Sequence, residues 1–188
     1  MTLSAVIFDF DGIITNLNAP WSSIRVAIKD RIGMEVESIL DFFQDSWATR
    51  EFDAVSSIVS EFELEAAKTC ELFPDVKPTL EYLTGTGTRN YIASMQSIKA
   101  IDFFEGKHDL SRYFRKSFGR ESAGSKKGEL ELILALEKST PREKIAFIDD
   151  SKRHMIPCRE LGLSCFQFDR RKSILSLEEV VKQLSEKQ

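Results

Sequence analysis

Ala5-Val6-Ile7-Phe8-Asp9-Phe10-Asp11-Gly12 sets four apolar residues ahead of two acids that flank a phenylalanine. The apolar run is too short for a helix and is rich in β-branched and aromatic side chains. Such a run predicts a strand buried on both faces, as in the parallel sheet of an α/β layer. A second run of the same kind, Ile145-Ala146-Phe147-Ile148, also ends in acids, Asp149 and Asp150. Parallel strands open their carboxyl ends on one edge of the sheet, and ligands of open α/β sheets bind in the crevice there. If the two runs are central neighbours, Asp9, Asp11, Asp149 and Asp150 converge in that crevice. Two unit charges about 5 Å apart repel by roughly 3 kcal/mol at an effective dielectric near 20, so the cluster calls for a cation or for protonation. A hard divalent cation with oxygen ligands suits it.

Further strands are expected at residues 90–94, 115–118 and 164–168. Amphipathic stretches at 76–83, 128–136 and 154–161 separate them, the last stopping at Gly162 as a helix cap. Leu177, Val180, Val181 and Leu184 repeat at helical spacing and close the chain. From about residue 75, strand and helix alternate, which implies right-handed crossovers and a doubly wound parallel sheet, Rossmann-like in its layering. The stretch before Pro74 is different. Ile24, Ile28 and Ile32 recur every four residues, Val55, Ile58, Val59 and Phe62 continue a longer helical pattern, and no strand is evident. The expectation is an α/β core over 1–16 and 74–188, with a small helical cap at 17–73 inserted after the first strand. Above the carboxylate edge such a cap could exclude water.

With 188 residues the chain accommodates one ordinary domain plus an insertion. A composition of 42% hydrophobic and 30% charged residues is that of a globular protein. A net charge of -4 and a pI near 5.4 leave no electrostatic footprint for nucleic acid. No apolar run approaches a membrane span. The stretch Met1-Thr2-Leu3-Ser4 has no basic region, and Asp9 interrupts the apolar residues before a signal peptide's core is complete. Cys70, Cys158 and Cys165 are odd in number and lack metal-ligand spacing, so reduced packing thiols in a cytoplasmic protein are expected.

Asp9-Phe10-Asp11-Gly12-Ile13-Ile14-Thr15-Asn16 resembles the first motif of the haloacid dehalogenase (HAD) superfamily of phosphohydrolases: two Asp around one apolar residue, then Gly, two variable residues and Thr. Ser94, after Tyr91-Ile92-Ala93, is similar to the second motif's Ser or Thr. Lys127, or its neighbour Lys126, resembles the third motif's lysine, with Lys127 favoured because Gly128 and a helix follow it. Asp149-Asp150-Ser151 resembles the fourth. The helical insertion, with Leu72-Phe73-Pro74-Asp75-Val76 at its return, resembles the phosphoglycolate phosphatase and β-phosphoglucomutase-like branch. The chain departs from the family pattern at Met95, where Asn is common after the Ser. It departs again at Gly128, where Pro usually follows the lysine, and at His154, where a carboxylate or Gly is usual.

The resemblance implies a Mg²⁺-dependent phosphatase acting on a small phosphorylated metabolite. Asp9 would be the nucleophile that forms an aspartyl-phosphate, and Asp11 the general acid and base. Ser94 and one of the lysines would bind the phosphoryl group. Mg²⁺ would be held by Asp9, Asp11 and Asp150, with Asp149 in support. Two alternatives share these residues: a phosphosugar mutase, and a regulatory binding module that keeps the fold without turnover. Asp11 argues against a haloacid dehalogenase, which usually lacks the second Asp. Plainer roles are expected elsewhere: surface or helix positions for His108 and His154, a solvated turn at Arg170-Arg171-Lys172, and insertion core for Trp21, Trp47, Phe42 and Phe43. Asp11-Gly12 is also a hairpin signal, but no returning strand follows it.

Overall fold

The computed structural model describes residues 3–186; Met1 and Thr2, read above for a signal peptide, and the last two residues of the expected core range lie outside it. Strand β1 (Ala5–Phe8) occupies the centre of a five-stranded, all-parallel sheet. It pairs with β2 (Arg89–Ala93) on one side and β4 (Ile145–Asp149) on the other. The edges are β3 (Phe114–Phe118) and β5 (Ser164–Gln167), giving the order β3-β2-β1-β4-β5. The two acid-terminated runs are therefore adjacent, with Phe8 in register with both Ile92 and Ile148.

Burial on both faces explains why β1 and β4 lack polar alternation. Val6, Phe8, Ile92, Ala146 and Ile148 point to one side. There they meet helices α4 (Val76–Gly85), α5 (Ile98–Lys107) and α8 (Leu177–Glu186). Ala5, Ile7, Tyr91, Ala93, Ile145 and Phe147 point to the other, against α6 (Lys126–Leu136) and α7 (Met155–Glu160). This is the doubly wound α/β sheet expected. Helix α5 was not anticipated; Ser97 caps it by accepting from Ala100 N.

Between β1 and α4 the chain forms helices α1 (Trp21–Ile32), α2 (Ile39–Asp45) and α3 (Arg50–Thr69). Their apolar faces build a separate cluster around Ile24, Ile28, Phe43, Phe52, Val55 and Val59, to which Met95 also belongs. The neck of the insertion is stitched at Thr15, whose Oγ1 donates to Glu71 O at 2.7 Å, and by Phe73 N donating to Ile14 O at 3.1 Å. Arg170 corrects the expectation of a solvated turn. Its guanidinium lies over the rings of Phe73 and Phe168, pairs with Asp75 at 2.9 Å and donates to Ile13 O.

The three cysteines are not all free thiols. Cys158 on α7 and Cys165 on β5 form a disulfide, because the packing of this helix on the edge strand brings their Cα atoms to 5.9 Å; Cys70 stays free. Among the described residues no helix is long and apolar enough to cross a membrane.

Candidate active site

The ends of the three central strands meet at one edge. Asp9 follows β1 directly, Ser94 follows β2, and Asp149 ends β4. After Asp9 the chain turns sharply, with Gly12 at φ +83, and Gly12 N donates to Thr15 O at 2.8 Å. Any side chain on Gly12 would be strained, and its Cβ would lie 2.6 Å from Asp150 Oδ2. Glycine is thus needed both for the turn and for the approach of the Asp150 carboxylate. Asp11 is held in the same turn by Leu17 N, which donates to its Oδ1 at 2.8 Å.

Lys126 reaches this cluster, and Lys127 does not. Lys126 is buried at the start of α6, and its Nζ donates to Asp9 Oδ1 at 2.9 Å and to the carbonyl of Ala93. Asp149 Oδ2 lies 3.8 Å away. Lys127 points into solvent and pairs with Glu160 at 2.9 Å. The preference for Lys127 is therefore reversed. Ser125 caps α6 by accepting from Gly128 N, so the helix begins at Lys126 and the next residue is turned about 100° away.

Four carboxylates share this edge, but their environments differ. Burial, and then the charge of Asp149, push the Asp9 pKa above the usual carboxylate value despite Lys126. Burial raises Asp11 to about 6, with the Asp9 and Asp150 charges adding to it. Asp150 also rises to about 6, through burial and then through Asp9 and Asp149. Asp149 goes the other way: burial works against its charge, but the bonds from His154 and Ser151 N and the ammonium of Lys126 outweigh it. Burial works against the Lys126 ammonium, but Asp9, Glu129 and Asp149 hold its pKa above the ordinary value.

His154 is not a plain surface residue. Its Nδ1 lies 2.7 Å from Asp149 Oδ2, while Asp149 Oδ1 accepts from Ser151 N at 2.7 Å. Asp9, Asp149 and His154 present ligand atoms within 4.8 Å of one another, a group able to hold a metal ion. Both Asp149 oxygens are already engaged, however, whereas Asp11 and Asp150 carry raised pKa values with no ammonium or guanidinium paired to them, and Asp9 stays raised even with Lys126 beside it. That donor set fits a hard divalent ion.

Glu129 was missed. It lies one turn beyond Lys126, fully buried, with neither oxygen hydrogen-bonded and Lys126 Nζ at 3.6 Å. Burial raises it to about 8, in spite of Lys126. The i,i+3 spacing on a helix was the available signal. Above the edge lies a cavity of about 470 Å³. Asp9, Asp11, Ser94 and Asp150 form its floor side, and Trp21, Arg25, Leu40 and Phe43 of the helical insertion face them.

The chain and its fold are similar to known proteins. A family model for haloacid dehalogenase-like hydrolases matches residues 6–168. No curated protein sequence matches significantly. Among solved structures, a predicted phosphatase from Clostridium acetobutylicum superposes with a TM-score of 0.73 at 13% identity, covering 99% of this chain and 100% of that one. CbbY from Rhodobacter sphaeroides, in complex with phosphate, gives 0.67 at 14% identity, with 92% and 90% covered. The candidate HAD-hydrolase YfnB from Bacillus subtilis, bound to magnesium, gives 0.69 at 14% identity, with 98% and 99% covered. At these identities the likeness is one of fold.

Proposed function

The chain belongs to the haloacid dehalogenase-like hydrolase family, and we propose that it is a Mg²⁺-dependent phosphatase that hydrolyses a small phosphorylated metabolite through an aspartyl-phosphate on Asp9. The observation that carries this reading is the buried contact of Lys126 with Asp9, beside the carboxylates of Asp11 and Asp150. Phosphoryl transfer needs positioning and charge stabilisation above all. A fixed cation against an acid at a strand end supplies both. The phosphate in CbbY and the magnesium in YfnB, on the same fold, support the choice of ligands.

In the first step an Asp9 carboxylate oxygen bonds to phosphorus while the ester P–O bond breaks. Asp11, with a pKa near 6, gives its proton to the departing alcohol oxygen. In the second step Asp11 takes a proton from water as that water attacks phosphorus; the Asp9–phosphorus bond breaks and orthophosphate leaves. The Ser94 hydroxyl and neighbouring main-chain N–H groups donate to phosphoryl oxygens, and Lys126 offsets charge on Asp9 and phosphate together. Lys127, paired with Glu160 at the surface, has no part. Asp9, Asp150 and the main-chain carbonyl of Asp11 would hold Mg²⁺, with Asp149 in support behind them; bound there, the ion neutralises charge between nucleophile and phosphate.

A cavity of about 470 Å³ suits a small metabolite as substrate, and neither nucleic acid nor a membrane is needed as partner. A cytoplasmic setting belongs to the same proposal; the Cys158–Cys165 disulfide, of a kind uncommon in reducing compartments, bears against it. The test is phosphate release from p-nitrophenyl phosphate and from a panel of phosphorylated metabolites, with Mg²⁺ and with chelator. Sustained, metal-dependent release is expected and also speaks against a mutase. No release from any ester would contradict the proposal.

A further inference from the structure

Arg120 and Glu63 form an ion pair that the chemistry above does not use. Both are fully buried. Arg120 follows β3, and Glu63 lies on α3 of the helical insertion. Arg120 Nη1 meets both Glu63 oxygens, at 2.8 and 2.7 Å. Its Nε donates to Ser56 Oγ at 2.9 Å and its Nη2 to Ser56 O at 3.0 Å, both on α3. The guanidinium also lies 4.7 Å from the ring of Phe43 on α2.

The pair also grips the loop at 94–97. Arg120 Nη1 donates to Met95 O at 3.2 Å, and Glu63 Oε2 accepts from Ser97 N at 2.9 Å. The backbone does the same from the core side, where Arg120 N donates to Gln96 O at 3.1 Å and Ser94 N to Phe118 O at 3.0 Å. Glycine at 119 permits this: a Cβ there would sit 2.5 Å from Ile98 N and 2.8 Å from Gln96 O. Within the loop, Gln96 N donates to Ser94 Oγ at 3.3 Å. Ser94, Met95, Gln96 and Glu63 all line the cavity above Asp9.

Stability alone does not account for the pair. Taking two charges out of water is costly, and apolar residues of similar volume often serve a core as well or better. What apolar residues cannot do is reach Met95 O and Ser97 N together. We propose that Arg120 and Glu63 are positioning residues through which α3 of the insertion sets the conformation of the loop at 94–97, and with it the phosphoryl-binding groups of the site. A binding constellation holds its geometry only when the residues behind it are themselves locked. The proposal rests on the phosphatase reading for its ligand, orthophosphate.

The test compares the wild type with the double variant Glu63→Met/Arg120→Met and with Arg120→Lys, all in Mg²⁺. Thermal melting reports folding, amide hydrogen exchange reports the loop at 94–97, and calorimetry gives the orthophosphate dissociation constant. The double variant is expected to melt in one cooperative transition, below the wild type because Met95 O and Ser97 N lose their partners, and so to be folded in the other two measurements. Its loop amides should exchange at least tenfold faster, and orthophosphate should bind about tenfold more weakly, with a matching rise in KM for p-nitrophenyl phosphate. A folded double variant with wild-type loop exchange and wild-type orthophosphate affinity overturns the proposal. Should the double variant fail to fold, Arg120→Lys decides. One ammonium cannot reach Ser56, Glu63 and Met95 at once, so the same losses are expected, and an unchanged loop and affinity overturn the proposal. If the wild type neither binds orthophosphate nor releases it from the ester, the phosphatase reading fails, while loop exchange still decides the role of the pair.

Discussion

Lys126 Nζ and Asp9 Oδ1 lie 2.9 Å apart across a sequence separation of 117 residues, in a contact buried from solvent on both sides. The ammonium also holds the carbonyl at the end of β2, so one side chain ties three neighbouring elements of the site. Removing it should lower kcat on the order of 10²- to 10³-fold, the usual cost of losing one group that stabilises developing charge. Lys127→Ala should change kcat less than about threefold and stability by less than about 1 kcal/mol, since an exposed ion pair contributes little. Parallel kinetics on the two variants measure this. Equal losses, or a larger loss at Lys127, would contradict the assignment.

Asp150→Asn removes one charged oxygen while keeping the shape that fits against Gly12. The half-saturating Mg²⁺ concentration should rise about tenfold or more, with activity partly restored at high metal. Titrating the metal against initial rate measures it, and calorimetry without substrate gives a second reading. An unchanged half-saturation would remove Asp150 from the ligand set.

Away from the site, Glu137 predicts a pH dependence of stability. Burial works against its charge, but bonds from Arg89, Thr140 and Tyr91 outweigh it and hold the pKa at about 2, against 4.5 unperturbed. A depressed pKa gives stability that is present above the unfolded value and lost as pH falls toward the folded one. Glu137→Gln should therefore cost about 2 to 3 kcal/mol at pH 7. The gap to wild type should narrow below pH 4.5 and close near pH 2. Denaturant unfolding across that range measures it; a gap that does not depend on pH would rule out the linkage.

The disulfide makes a simpler prediction. Thiol titration of the unfolded, unreduced protein should find one thiol, Cys70, and three after reduction. Finding three before reduction would contradict the pairing. Reduction should lower stability by about 2 kcal/mol, given the short loop that the bond closes.

Residues 5–8 and 145–148 revealed the sheet because burial on both faces removes any alternation, leaving runs too short to be helices. Asp9, Ser94 and Asp149 were legible as strand ends, which a parallel sheet carries to one edge; the lysine pair, at the start of a helix, was legible only through its resemblance to the family's third motif. A rotation about a helix was harder to see. Lys126 and Lys127 are neighbours in sequence, and only the Ser125 cap decides which one turns inward. Arg170 was misjudged because Asp75, its partner, meets it only in the fold, and the bond between His154 and Asp149 was out of reach for the same reason. The Arg120–Glu63 pair is further out of reach, joining elements 57 residues apart that no local pattern connects.

Two similar carboxylates with different tasks are the centre of this account. Asp9→Asn removes the nucleophile, so no covalent adduct should form. Asp11→Asn keeps the nucleophile but can neither protonate a poor leaving group nor activate water in the second step. With an activated ester the intermediate should therefore form and persist. The decisive measurement is intact-protein mass spectrometry of each variant after mixing with p-nitrophenyl phosphate and Mg²⁺, followed by mapping of the adduct. A phosphoryl adduct on Asp9 in the Asp11→Asn protein, absent from the Asp9→Asn protein, is the predicted result. Wild-type turnover in both variants would contradict the assignment of the site.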